Sequence, residues 1–158
     1  MKPHIGITDK NLKNSIELLS VTLADAMTLY TKTRKFHWNV TGESFMEMHK
    51  LFENQYTQLE KNIDEIAERI SKLGGKTIGT MTEFIEKTRL KESPAVYPTS
   101  KEMVKELLDD HEKVVVQLRK DITIAAEENA DLGTADFLTA MLLQHESTAW
   151  ILRRYISE

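Results

Sequence analysis

Four side chains that can bind metals or move protons, His49, Glu53, Asp64 and Glu68, fall within one stretch of helical periodicity. At about 100° per residue with His49 at zero, Glu53 lies near 40°, Asp64 near 60° and Glu68 near 100°. The apolar stripe of the same helix, from Phe45 and Met48 through Phe52, Tyr56, Leu59 and Ile63 to Ile66 and Ile70, lies to one side of them. Its solvated face, with Glu47, Asn54, Gln58, Lys61, Glu65, Arg69 and Lys72, lies on the other. An amphipathic helix needs only a stripe and a face. The strip between them carries imidazole nitrogen and carboxylate oxygen, the mixed donors that suit iron or zinc.

One helix cannot bring all four to one ion. His49 and Asp64 are about 22 Å apart along a helix axis at 1.5 Å per residue. A twofold-related copy packed antiparallel removes the difficulty, because facing residues then have numbers with a constant total. His49 with Glu68, and Glu53 with Asp64, share the total 117. A dyad between residues 58 and 59 would therefore create two equivalent clusters, each fed by both subunits. His37 joins the scheme, since a hairpin turning near residue 43 sets it beside His49. A site with so few strong ligands leaves positions open for water or an oxidant. The sequence contains no Glu-x-x-His, the signature of a di-iron centre inside one helical bundle, so the intrasubunit alternative is disfavoured.

The elements that must position these residues are helices. The chain has 158 residues with six Gly, three Pro and no Cys, and its breakers cluster at a few places. The first periodic segment runs from Leu12 through Ile16, Leu19, Leu23 and Met27 to about Trp38, and Gly42 ends it. Ser44 and Glu47 read as a capping box for a second helix that reaches Leu73 before Gly74–Gly75. A third starts at Thr99 with Glu102 and lasts to about Glu128, and a fourth runs from near Thr134 to the C-terminus. Thr82 to Leu90 reads as a short extra helix on the long connection. The expected fold is all-α: a ferritin-like four-helix bundle with a short helix in the crossover between the second and third helices. Residues 1–158 form a single domain, with 1–13 as a short N-terminal tail.

Absent cysteine excludes disulfides, thiolate nucleophiles and cysteine-based metal sites. No apolar run of about 18 residues and no leader-like apolar segment occurs, so the expectation is a soluble, cytoplasmic protein without membrane contact. The net charge of −4 argues against a basic nucleic-acid-binding body.

At these residues the chain resembles the Dps family, the miniferritins. His37-Trp38-Asn39-Val40-Thr41-Gly42 followed by His49 and Glu53 is similar to one family motif, and Ile63-Asp64-Glu65-Ile66-Ala67-Glu68-Arg69 with Leu73-Gly74 to the other. Met48 and Thr77 depart from the usual residues at positions that are not ligands. The resemblance implies a hollow homododecamer, a ferroxidase that oxidises Fe(II), preferably with hydrogen peroxide, and stores ferric oxyhydroxide, with zinc as a substitute occupant of the site. It implies that His37 and His49 come from one subunit and Asp64 and Glu68 from its mate, with Glu68 bridging. Glu53 is either a ligand or an acceptor orienting an imidazole. Trp38 is similar to the family's oxidisable aromatic and reads equally as an interface anchor.

Asp131 and Asp136, beside Glu127 and Glu128, read as an ordinary solvated turn, and through the resemblance as the lining of a threefold pore that attracts Fe(II). His111 and His145 lie on apolar stripes and read as core-edge histidines. The rival function is a nucleoid-associated DNA-compacting protein with secondary iron binding. Against it, the first fourteen residues offer only Lys2, Lys10 and Lys13 opposed by Asp9, so DNA binding is expected to be weak or absent.

Overall fold

A computed structural model describes residues 3–157; Met1 and Lys2 of the expected tail and the terminal Glu158 lie outside the described residues. Helix α1 spans Asp9–Asn39, α2 Phe45–Lys72, α3 Met81–Lys87, α4 Ser100–Thr123 and α5 Leu132–Ile156. A π-helical turn, Ile124–Glu128, continues α4. The all-α four-helix bundle with a short helix in its crossover is as the periodicity predicts. Helix α1 pairs with α2 and α4 with α5, and α3 lies against α1. The shared core is built from side chains such as Leu19, Phe36, Phe52, Ile66, Leu107 and Leu138, all sealed from solvent.

Several boundaries differ from the sequence reading. Helix α1 starts at Asp9, capped by Thr8 Oγ1 accepting from the Asn11 amide at 3.2 Å, so part of the segment assigned to the tail is helical. Ser44 makes no side-chain cap bond, and Glu47 instead accepts from the Tyr155 hydroxyl at 2.7 Å. Helix α2 therefore starts where expected without the capping box. The boxes at Thr80–Glu83 and Thr99–Glu102 are complete and set the starts of α3 and α4. Helix α2 stops at Leu73 because Gly74 takes φ +84° and the Gly75 amide closes back on Ile70 O at 3.0 Å. A Cβ on Gly74 would lie 2.7 Å from Pro3 Cδ.

The crossover is anchored at one point. Arg89 donates Nε to Asp25 of α1 at 2.7 Å and Nη1 to Asp121 of α4 at 2.9 Å, while the Arg89 amide reaches the same Asp25 carboxylate at 2.6 Å. Burial holds the Asp121 carboxyl above its ordinary range, and the Arg89 charge opposes that rise.

Candidate metal centre

The turn at Val40–Ser44, with Gly42 at φ +108°, folds α2 back so that His37 in the last turn of α1 meets His49 in the second turn of α2. Their rings stack with centroids 3.7 Å apart and planes 23° from parallel. Each imidazole is held by the other residue's backbone: His37 Nδ1 donates to His49 O at 2.8 Å and His49 Nδ1 to His37 O at 3.0 Å. A carbonyl only accepts, so both Nδ1 atoms carry a proton, and in the neutral ring the lone pair is the one on Nε2. The His37 carbonyl is one of the last four of α1, which have no helical partner, so the bond also completes the helix end. Both rings are half-buried. This is the tautomer a metal ligand needs, fixed by the chain itself.

Glu53, one turn beyond His49, is bound by Lys50 Nζ at 2.7 Å. That bond holds its carboxyl below the usual range, with smaller contributions from the nearby His37 and His49. Asp64 and Glu68 are exposed on α2, one turn apart. Asp64 has no ion pair or hydrogen bond among the described residues, and Glu68 has only an exposed pair with Lys72 at 3.0 Å. Exposed pairs within one helix are weak and readily exchanged for a stronger cation. Among the described residues no three His, Asp or Glu side chains of one chain converge on a point that could hold a metal ion. The structure thus brings His37 and His49 together beside Glu53 and leaves Asp64 and Glu68 exposed, with only the Lys72 pair on Glu68.

A ferritin-like domain matches residues 16–158. The chain is 43% identical to a low temperature-induced protein of Nostoc, over 97% of this chain and 86% of that one. It is 38% identical to DNA protection during starvation protein 2 of Bacillus anthracis, over 92% and 99%. The chain belongs to the Dps family. A solved Dps of Vibrio cholerae, described as a member of a broad superfamily of ferritin-like diiron-carboxylate proteins, superposes with a TM-score of 0.91 at 27% identity, covering 99% of this chain and 97% of that one.

Around the histidines of this Dps chain sit aromatic groups that the spacing did not single out. Tyr56 stands edge-on to His37 at 5.2 Å between centroids, and Phe45 lies 5.1 Å from His49. Tyr56 is seven residues after His49, hence on the same side of α2, a signal that was available; the sequence reading placed it in the core stripe. The Arg34 guanidinium lies 4.6 Å from the Tyr56 ring and 5.3 Å from that of Trp38, and donates to Tyr30 Oη at 2.7 Å. Trp38 itself is 65% exposed.

Asp131 does not suit the pore role expected of it. It is 1% exposed, caps α5 by accepting the Thr134 amide at 2.9 Å, and meets Arg69 of α2 at 3.0 Å. Its carboxylate is consumed by the fold. Asp136 is exposed on α5 and keeps its carboxylate available.

His111 and His145 are not core-edge residues either. They are 2% and 7% exposed, and their Nδ1 atoms lie 2.9 Å apart in a direct hydrogen bond. Burial pushes His111 well below the ordinary imidazole range and His145 down to about 4, and each is neutral at pH 7.

Proposed function

We propose that this Dps protein is a ferroxidase and iron store whose site is shared by twofold-related copies, with Fe(II) as substrate and hydrogen peroxide as preferred oxidant. The observation that carries the reading is the His37–His49 pair, whose backbone locks leave both Nε2 lone pairs open. Asp64 and Glu68 of the mate complete the ligand set in a register that pairs residues totalling 117. Thr57 and Glu60, which the same register brings together, are exposed, so α2 is free to meet its copy there. Glu53 serves as a further ligand or as an acceptor for an imidazole. Two Fe(II) ions each give one electron to one peroxide, which takes up two protons and leaves as two waters. No hydroxyl radical forms, and the ferric product is stored as oxyhydroxide inside a dodecameric shell in the cytoplasm. Trp38 acts as an oxidisable aromatic beside the site, Asp136 helps draw Fe(II) inward, and zinc substitutes for iron in the ligand set.

Anaerobic loading with Fe(II), followed by peroxide, tests this against the mass of the assembly. The expected result is ferric absorbance at one peroxide per two Fe(II), retained by a particle of about twelve chains. A monomer inert to iron would end the reading. Retention of plasmid DNA near 150 mM salt, where counterion release leaves few weak contacts, would move the DNA-compacting rival ahead of it.

A further inference from the structure

The second histidine pair sits where three helices meet. His111 of α4, His145 of α5 and Gln55 of α2 line one cavity of about 20 Å³, with Asn62, Gln144 and Thr148 also on its wall. Two of these wall groups are already spent: Asn62 Oδ1 accepts from Gln58 Nε2 at 2.9 Å, and the Thr148 hydroxyl donates to Gln144 O at 3.1 Å. Three atoms are not. Both amide atoms of Gln55, a residue 8% exposed, lack a hydrogen-bond partner in the chain, and so does His111 Nε2. Buried polar groups are nearly always satisfied, so three orphan atoms on residues lining one cavity call for an occupant that satisfies them.

The geometry points to one ordered water molecule as that occupant, bridging Gln55 of α2 to His111 of α4. A volume of about 20 Å³ exceeds the roughly 10–15 Å³ that a single water needs and leaves no room for a larger molecule. The orphan atoms also select for water by their chemistry. Gln55 Nε2 only donates and Gln55 Oε1 only accepts, so the occupant must accept and donate at once. A cation cannot take the amide N–H, and no side chain lining the cavity carries a charge at pH 7 to balance it. An apolar occupant leaves all three atoms unpaired. Water accepts from Gln55 Nε2, gives one proton to Gln55 Oε1, and has a second proton and a second lone pair for His111 Nε2. Which of these it uses is tied to the histidine pair, because a single proton lies between the two Nδ1 atoms, 2.9 Å apart. When His111 supplies that proton, His111 Nε2 is an acceptor and the water donates to it. When His145 supplies it, His111 Nε2–H donates to the water. The occupant fits both tautomers. Gln55 stands six residues after His49 and nine before Asp64, so the bridge holds that middle stretch of α2 against α4.

This site does not depend on the shared metal centre, and neither does its test. A high-resolution crystal structure of the assembled protein should show, in every independent copy of the chain, one water within hydrogen-bond distance of His111 Nε2 and of both Gln55 amide atoms. No density there, or a Gln55 amide bonded directly to a protein group, would overturn the proposal. Gln55→Met, similar in length and lacking the amide, gives an independent reading in solution. With the water bound, the change removes satisfied hydrogen bonds and should lower Tm by a few degrees; with an orphan amide, it removes a buried penalty and should raise Tm. An unchanged or raised Tm refutes the bridge. If Gln55→Met does not fold, the crystal structure decides.

Discussion

The two histidine pairs are built from the same residue and wired in opposite ways. His37 and His49 each spend Nδ1 on the other's backbone carbonyl, so the rings are fixed while their Nε2 atoms stay free. His111 and His145 spend Nδ1 on each other, deep in the bundle, and the interior must satisfy what is left. A carbonyl lock presets a ligand at no cost to its reactive atom, whereas a side-chain lock holds the ring by the atom a metal would need. The first pair is therefore ready for a cation arriving from outside. The second is buried and bonded to itself.

The sharpest way to break this contrast is at the outer pair. His37→Ala or His49→Ala should slow peroxide-driven iron oxidation by more than the roughly 10–100-fold that losing only an orienting group costs. Static light scattering should still show the assembled shell. Mixing His49→Ala with Asp64→Ala subunits should restore one intact site per mixed dimer, because both defects then fall in the other cluster. Failure to restore activity under verified subunit exchange would place the site within one chain.

The inner pair should show itself in acid stability. An unfolded histidine takes up a proton near pH 6.5, whereas folded His145 does so only near 4, so between these values the unfolded chain binds more protons. Stability is then full above about pH 6.5 and falls as pH drops through 4, by roughly 3 kcal/mol for this residue. Urea midpoints from pH 7 to 4 measure it. His145→Leu should make the profile shallower, leaving the part that buried His111 contributes.

The same distinction between spent and free groups applies to the acidic link before α5, with smaller effects. Asp131→Asn should cost about 1–2 kcal/mol in denaturant unfolding, through loss of charge at a buried cap and ion pair. Asp136→Asn should leave stability within about 0.5 kcal/mol and slow iron uptake at low ionic strength. Equal stability losses would mean that both carboxylates are structural.

The bundle was legible because its helices have long apolar stripes and because Gly42, Gly74 and the Pro94–Pro98 stretch interrupt them. The ligand strip was legible for the same reason: position on a helix is local arithmetic. What depends on contacts between distant residues was not. Asp131 before a helix looks identical in sequence whether it faces a pore or an arginine of another helix, and Arg69, which decides the matter, is 62 residues away. His111 and His145 are 34 residues apart, and nothing in either stripe announces that they meet. The π turn after Thr123 was invisible because one residue of slack barely disturbs the apolar periodicity of α4.

Arg89 reaches 64 residues back to Asp25 and 32 forward to Asp121, whereas each helical hairpin closes on itself through a short turn. Local hairpins form early, and the entropy of closing a long connection delays whatever depends on it. The arginine is thus a late latch in folding. A chain with both hairpins formed and the latch open still shows the apolar inner faces that drive aggregation. Distant as it is from the ligands, the crossover should govern how long each newly made subunit stays vulnerable before it is fit to assemble.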